Sequence, residues 1–139
     1  MASPNATVAI PASHLDLFGK NAFAHLGLSL KDGSVLVNPV WCDLADGDVL
    51  INSAEGRLKD RIMRRDPRAT LCLSDPENPY RYLEIRGRIT EITPEGADEH
   101  IDRLARKYMD VDTYPHRRAG EVRVTYRIAP EKVVAFPPG

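Results

Sequence analysis

The chain has 139 residues, 42 % hydrophobic and 28 % charged, with 19 basic against 20 acidic side chains and a net charge of −1. That length supports a single core and excludes two independent domains, and the even charge balance excludes a long-range field that would draw the chain to DNA or lipid. Cys42 and Cys72 form neither a disulfide framework nor a CxxC pair, no basic-then-apolar leader opens the chain, and no apolar run approaches the roughly 18–20 residues of a membrane span, so a soluble, cytoplasmic protein with reduced thiols is expected.

Residues 1–12 read as a loose arm, followed by a short helix capped by Ser13 and closed by Gly19 after Phe18. Leu26, Leu28 and Leu30 alternate with Gly27 and Ser29, the period-2 mark of a half-buried strand. "KDGS" supplies a turn with Gly33 free to take a positive φ, and Val35 and Val37 begin the returning strand of a hairpin. Pro39 lies within that strand, which predicts an edge or a bulge where the sheet opens, because proline removes a ladder hydrogen bond. "ADGD" (45–48) turns the chain into a third strand, "VLINS".

A helix is predicted over 55–65, stopped by Asp66-Pro67. Beyond it come the strand "ATLCLS", the turn "DPENP" and the long strand "YRYLEIRGRITEI", in which Gly87 marks a bulge or bend. Thr93-Pro94 reads as a helix start, and Ala97, Ile101, Leu104, Ala105 and Tyr108 form one apolar stripe of that helix. An irregular loop (109–119) precedes the last strand, where Val122, Val124, Tyr126 and Ile128 alternate with polar residues, and "KVVAFPPG" is read as a tail. About six strands with three helices are best accommodated by a curled sheet, a closed or split barrel that hides its edges.

The stretch "EGRLKDRIMRRDPRAT" (55–70) holds six Arg or Lys side chains. On a helical wheel with Arg57 at zero, Arg61, Arg64 and Arg65 fall within roughly 80° and read as a solvated face, whereas Leu58, Ile62 and Met63 form the apolar arc between about 100° and 240°. Lys59 falls at about 200°, inside that arc, where a lysine must either snorkel out or meet an anion at the rim of a cleft. Arg57 stands in the first turn, where free backbone amides and the helix dipole already favour a phosphate. With Gly56 permitting close approach, Arg57 and Lys59 make a candidate phosphate clamp.

Taken in order, "FAHLGLSLKDGSVLVNPVW", "GDVLINSAEGRLKDRIMRRDPRATL" and "DPENPYRYLEIRGRI" resemble the flavin/deazaflavin oxidoreductases of the pyridoxamine 5′-phosphate oxidase-like superfamily, most of all their class-B F420-dependent branch, over about Phe23 to Phe136. The resemblance implies a mainly β fold, a six-stranded antiparallel split β-barrel of the FMN-binding type, and a homodimer with cofactor sites at the subunit interface. It implies that Arg57 and Lys59 hold the cofactor's phosphate, that Asn52, Ser53 and Ala54 touch the ribityl-phosphate region, and that Asn38, Pro39, Val40 and Trp41 line the tricyclic ring. Asn78, Pro79, Tyr80 and Tyr82, with the Phe136 tail, would come from the partner subunit. The family has Asn-Leu where this chain has Ile62-Met63, a departure in the helix that carries the clamp.

The implied activity is delivery of a hydride from reduced coenzyme F420 to a conjugated organic acceptor of the enone, quinone or tetrapyrrole type, with FMN as the alternative cofactor. A non-catalytic F420 or flavin carrier and an FMN-dependent oxidase of the pyridoxamine-phosphate type stand as alternatives. A nucleic-acid module would require aromatics interleaved with the Arg face and a basic chain, and neither is present. Hydride transfer at a cofactor's own carbon needs no protein acid/base pair. His14, His25, His100 and His116 are scattered without ligand spacing, so no metal site is expected. Trp41 reads either as core or as part of the ring wall, and Tyr80 and Tyr82 share a strand face suited to dimer contacts.

Overall fold

The computed structural model describes residues 8–138, so residues 1–7 of the expected arm lie outside it, while Ile10 is buried in the core. Seven strands form one antiparallel sheet: β1 (Ala24–Ser29), β2 (Val35–Val40), β3 (Asp43–Ala45), β4 (Asp48–Ala54), β5 (Arg68–Asp75), β6 (Asn78–Thr93) and β7 (Arg123–Phe136). Their order is β2-β1-β5-β6-β7-β4-β3. Two helices, α1 (Leu58–Arg65) and α2 (Ala97–Met109), and a 3-10 helix at Ala12–Phe18 complete the fold. Among the described residues the fold is therefore mainly β, with one strand more than expected, and the sheet is open, because its edge strands β2 and β3 do not pair with each other to close a barrel.

The extra strand is β3, whose three residues are too few to show a period, and it pairs with β4 across the turn at Asp46 and Gly47, both at positive φ. The expected tail is also a strand: β7 runs on to Phe136, pairing Tyr82 with Phe136 and Leu83 with Ala135. Ser13 caps nothing. The 3-10 helix starts after Pro11, and the Ser13 hydroxyl bonds His14 Nδ1 at 2.8 Å. Thr93 Oγ1 accepts from the Glu95 amide at 3.1 Å, but Gly96, in the left-handed region, separates that turn from α2, so the helix begins at Ala97 and not at Pro94.

β6 and β7 are the long spine, and each serves two parts of the sheet. The first half of β6 pairs with β5, whereas the first half of β7 pairs with β4, Val49 opposite Ile128 and Ala54 opposite Arg123. Leu26, Leu28, Leu71, Leu73, Leu83 and Ile85 from one part and Val49, Ile51, Val124, Tyr126 and Ile128 from the other form one buried cluster, so the sheet curls until its two parts share a core. The bend lies where the β6–β7 register shifts, between Arg86 and Gly87. A Cβ at Gly87 would stand 2.6 Å from the Ala129 carbonyl oxygen, so only glycine permits this approach.

Both helices lie where the sheet needs cover. α1 rests on β1 and β4 through Ile62 and Met63, which are fully buried, so the two positions where the resemblance implies Asn-Leu belong to the core. Leu58, placed in the apolar arc by the wheel, is 51 % exposed instead, at the first residue of α1. α2 packs on β7 and β4 through Ala97, Ile101, Leu104 and Ala105. Among the described residues no helix is long and apolar enough to cross a membrane.

Candidate functional site

A cavity of about 400 Å³ lies between the end of β2, β4, the start of α1, α2 and the loop that follows α2. Its polar side is built by Asn52, Ser53, Arg57, Lys59 and Arg123 and its apolar side by Phe23, Trp41 and Tyr108, with Tyr114 between the two, 6.0 Å from Trp41 and 5.2 Å from the Arg123 guanidinium. Such a volume, with apolar walls and a few convergent polar groups, suits a cofactor-sized molecule.

The clamp residues are placed by the turn into α1. Gly56 takes φ +85, and its amide donates to Asp60 Oδ2 at 3.0 Å, so a buried carboxylate four residues on ties down the loop before the helix. The Tyr126 hydroxyl (2.6 Å) and Arg64 Nε (2.9 Å) both donate to Asp60 Oδ1. Burial works to raise the Asp60 pKa, but the Tyr126, Gly56 and Arg64 hydrogen bonds outweigh it and hold the group below the ordinary carboxylate range. The turn carrying Arg57 and Lys59 is thus anchored on a charge below it, one that wheel reasoning about basic residues passed over.

Arg57 Nη2 donates to Glu121 Oε2 at 2.8 Å, and Lys59 Nζ donates to Asn38 Oδ1 at 3.2 Å. The Lys59 pKa is lowered, first by burial and then by the charge of Arg57. The aromatic end is a connected stack. Trp41 lies parallel to Tyr108 with ring centres 5.4 Å apart, Tyr114 meets Trp41 edge-on at 6.0 Å, and Phe23 meets Tyr108 edge-on at 5.3 Å. Trp41 is therefore a wall residue, only half-buried. The Tyr108 hydroxyl donates to the Ala22 carbonyl at 2.7 Å, which fixes the stack to the strand entrance, and burial pushes its pKa up. Burial also pushes the Cys42 thiol up to about 11, so neither group is a nucleophile at neutral pH.

Of the residues expected from sequence, the structure brings Pro39, Val40, Trp41, Asn52, Ser53, Arg57 and Lys59 to this cavity, with Asn38 behind Lys59. Ala54 is buried beside it, and its carbonyl accepts from the Arg57 amide at 3.3 Å. Asn78, Pro79, Tyr80 and Tyr82 lie elsewhere on this chain: Asn78 Oδ1 accepts from the Tyr80 amide, Tyr80 is 80 % exposed, and Tyr82 stacks on Phe136 at 5.6 Å. Arg123, Tyr108, Tyr114 and His116 line the cavity without having been singled out as ligand contacts. Arg123 was hidden because alternation along β7 assigns it to the polar face, yet it is only 5 % exposed. Tyr114 and His116 stand in an irregular loop, where sequence has no period to read.

No family model matches the chain, and no curated protein matches it in sequence. Solved structures do. An F420 reductase superposes with a TM-score of 0.80 at 26 % identity, over 90 % of this chain and 98 % of that one. A candidate pyridoxamine 5′-phosphate oxidase of Listeria innocua gives 0.64 at 16 % identity, over 91 % and 94 %, and an FAD-binding protein of Mesorhizobium loti gives 0.65 at 21 %, over 89 % and 92 %. The F420 reductase matches the F420 branch that the sequence motifs resemble, and the other two share the fold.

The cavity fits a flavin-type group on its own terms. The Ser53 hydroxyl is buried beside the cavity with no hydrogen-bond partner among the described residues, which is unusual enough to point to a ligand oxygen. Among the described residues none that lines the cavity is acidic, and Arg57, Lys59 and Arg123 are cations. A phosphate at one end of a flat ring matches that donor set, with the ring lying at the aromatic end.

Proposed function

We propose that this protein is an oxidoreductase of the split-barrel type that binds coenzyme F420 and delivers reducing equivalents to a conjugated organic acceptor. The reading rests on one observation: a cavity with stacked aromatics at one end and Arg57, Lys59, Arg123 and an unpartnered Ser53 hydroxyl at the other. The likeness to an F420 reductase at 26 % identity supports F420 over FMN.

When bound, the cofactor supplies two-electron chemistry at its own ring carbon. The chain's residues then have three tasks. Arg57 and Lys59 hold the phosphate with charge-assisted hydrogen bonds. Pro39, Val40 and Trp41 border the ring, where Pro39 on the edge strand β2 offers no amide to compete for its polar rim. Ile101, Leu104 and Met109 of α2 exclude water from the same space. We also propose a homodimer in which Tyr80, Tyr82 and Asn78-Pro79 complete the site from the partner, since in one chain they lie away from the cavity.

Trp41 is the only tryptophan and lies in the cavity wall, so its emission reports on occupancy. Titration with F420 and with FMN is expected to quench it, with F420 binding tighter. Arg57→Ala and Lys59→Ala are each expected to weaken binding by about tenfold or more, the scale of a lost charge-assisted contact. Unchanged affinity in both variants would remove the proposed site. Reduced F420 consumed on adding a quinone or enone separates an enzyme from a carrier, and a yellow protein carrying FMN would favour the oxidase.

A further inference from the structure

We propose that Arg123 is a third anion-binding cation of this cavity, and that a hydrogen-bond chain running from Asp43 through His100 and Asn52 sets the direction of its guanidinium. The inference rests on the cofactor reading above and adds the device that orients the anion end.

Arg123 is buried to 5 % exposure on β7, where an arginine is costly unless its charge is used. Its Nη1 donates to Glu121 Oε1 at 3.1 Å and its Nε to Asn52 Oδ1 at 2.9 Å, and the guanidinium sits 5.2 Å from the Tyr114 ring centre. Glu121 also receives Arg57, so one carboxylate is shared by two arginines. With Lys59 bonded to a neutral amide, three cations meet one carboxylate at this end, an excess of two positive charges. That excess suits a phosphate ester, which carries about −1 as the diester of F420 and about −1.5 to −2 as the monoester of FMN.

Every bond behind Arg123 can point only one way. The guanidinium Nε only donates, so the Asn52 atom facing it is the carbonyl oxygen; the Ala97 carbonyl only accepts, so the atom facing it at 3.0 Å is the Asn52 amide nitrogen. That nitrogen also lies 3.1 Å from His100 Nδ1, which must therefore be the acceptor, with Thr125 Oγ1 at 3.3 Å beside it. The imidazole proton then sits on Nε2 and is donated to Asp43 Oδ1 at 2.9 Å, while Arg103 Nε holds Asp43 Oδ2 at 3.0 Å. Asn52, though a cavity residue, has both ends of its amide committed to this chain. It is a positioning residue, as is His100 one step behind it.

The test compares each cofactor with its phosphate-free chromophore, FMN with riboflavin and F420 with its deazariboflavin. Arg123→Gln is expected to lower affinity for the phosphate-bearing partner by about tenfold or more and to leave the phosphate-free one within about twofold. If the glutamine variant does not fold, Arg123→Lys repeats the test, keeping the buried charge and losing the fork, with a smaller loss of the same kind. His100→Asn keeps an acceptor near the Nδ1 position and is expected to retain the wild-type preference for phosphate. His100→Gln places its amide near Nε2, keeps the Asp43 contact and is expected to lose that preference. Equal losses for both ligands in the Arg123 variant, or equal behaviour of the two His100 variants, would overturn the proposal. Should wild type bind neither cofactor, the functional reading falls by itself and inorganic pyrophosphate decides the inference. Thermal stabilisation by pyrophosphate in wild type but not in Arg123→Gln sustains it, and no difference between the two overturns it.

Discussion

Lys59 holds a charge inside a cavity where its hydrogen-bond partner is the neutral Asn38 oxygen and its charged neighbour is Arg57. Burial and that like charge lower its pKa in the folded state, so the folded protein sheds this proton before the unfolded chain does. Stability therefore rises with pH across the window between the lowered folded value and the ordinary 10.5, and below that window the charged lysine is a constant cost. Lys59→Met is expected to melt at or above the wild-type temperature at pH 7, with the gap narrowing as pH climbs toward 10.5, and to bind cofactor worse. A lower melting temperature for the ligand-free variant at pH 7 would mean that Lys59 serves the fold. The wheel could find Lys59 because a lysine in an apolar arc is anomalous by position alone. It could not find Arg123, whose exceptional feature is burial at a place where strand alternation expects solvent.

At the scale of elements, the hairpin, the long strand and both α-helices were readable because each carries a period or a turn residue: Gly33 at φ +88, the Leu26 and Leu28 alternation, the α2 stripe. What escaped was decided by pairing. β3 has three residues and exists because β4 offers it a partner, and Val133 to Phe136 are strand because β6 is long enough to pair with them. Gly87 joins the two kinds of information, since it was expected to bend the strand and the register shift occurs there. Gly87→Ala puts a methyl 2.6 Å from the Ala129 oxygen and 2.8 Å from an Ile128 methyl, contacts that neither backbone nor core can relieve without movement. We expect a loss of about 1–3 kcal/mol in chemical denaturation, typical of overpacking. Wild-type stability in that variant would show that the bend tolerates a side chain.

At the scale of the whole molecule, the sheet has an outer face opposite the core where His25, Gly27, Val35, Val37, Thr70 and Tyr82 border a second concavity of about 450 Å³. Val35 and Val37 are 61 % and 60 % exposed, and Phe136 stands at the end of the same face beside Tyr82. Arg68 and Glu84 lie there too, so the face carries both signs, as a self-complementary interface requires. We expect sedimentation to give a dimer at micromolar concentration and Val37→Asp to shift it toward the 15.5 kDa monomer, with weaker cofactor binding in parallel. A wild-type monomer that binds cofactor at full affinity would refute a shared site. Val35 and Val37 were legible as the start of a strand, but not which side of it faces the core, because both sides carry hydrophobic residues.

Facing walls of the cavity rest on backbone of different kinds. Asn52, Ser53 and Arg123 project from strands locked into the ladder between β4 and β7, whereas Tyr114 and His116 stand in the irregular segment after α2. Insertions, deletions and exchanges are tolerated in the second and punished in the first. The loop wall can thus change in length and sequence while the ladder wall that carries Asn52, Ser53 and Arg123 keeps its shape.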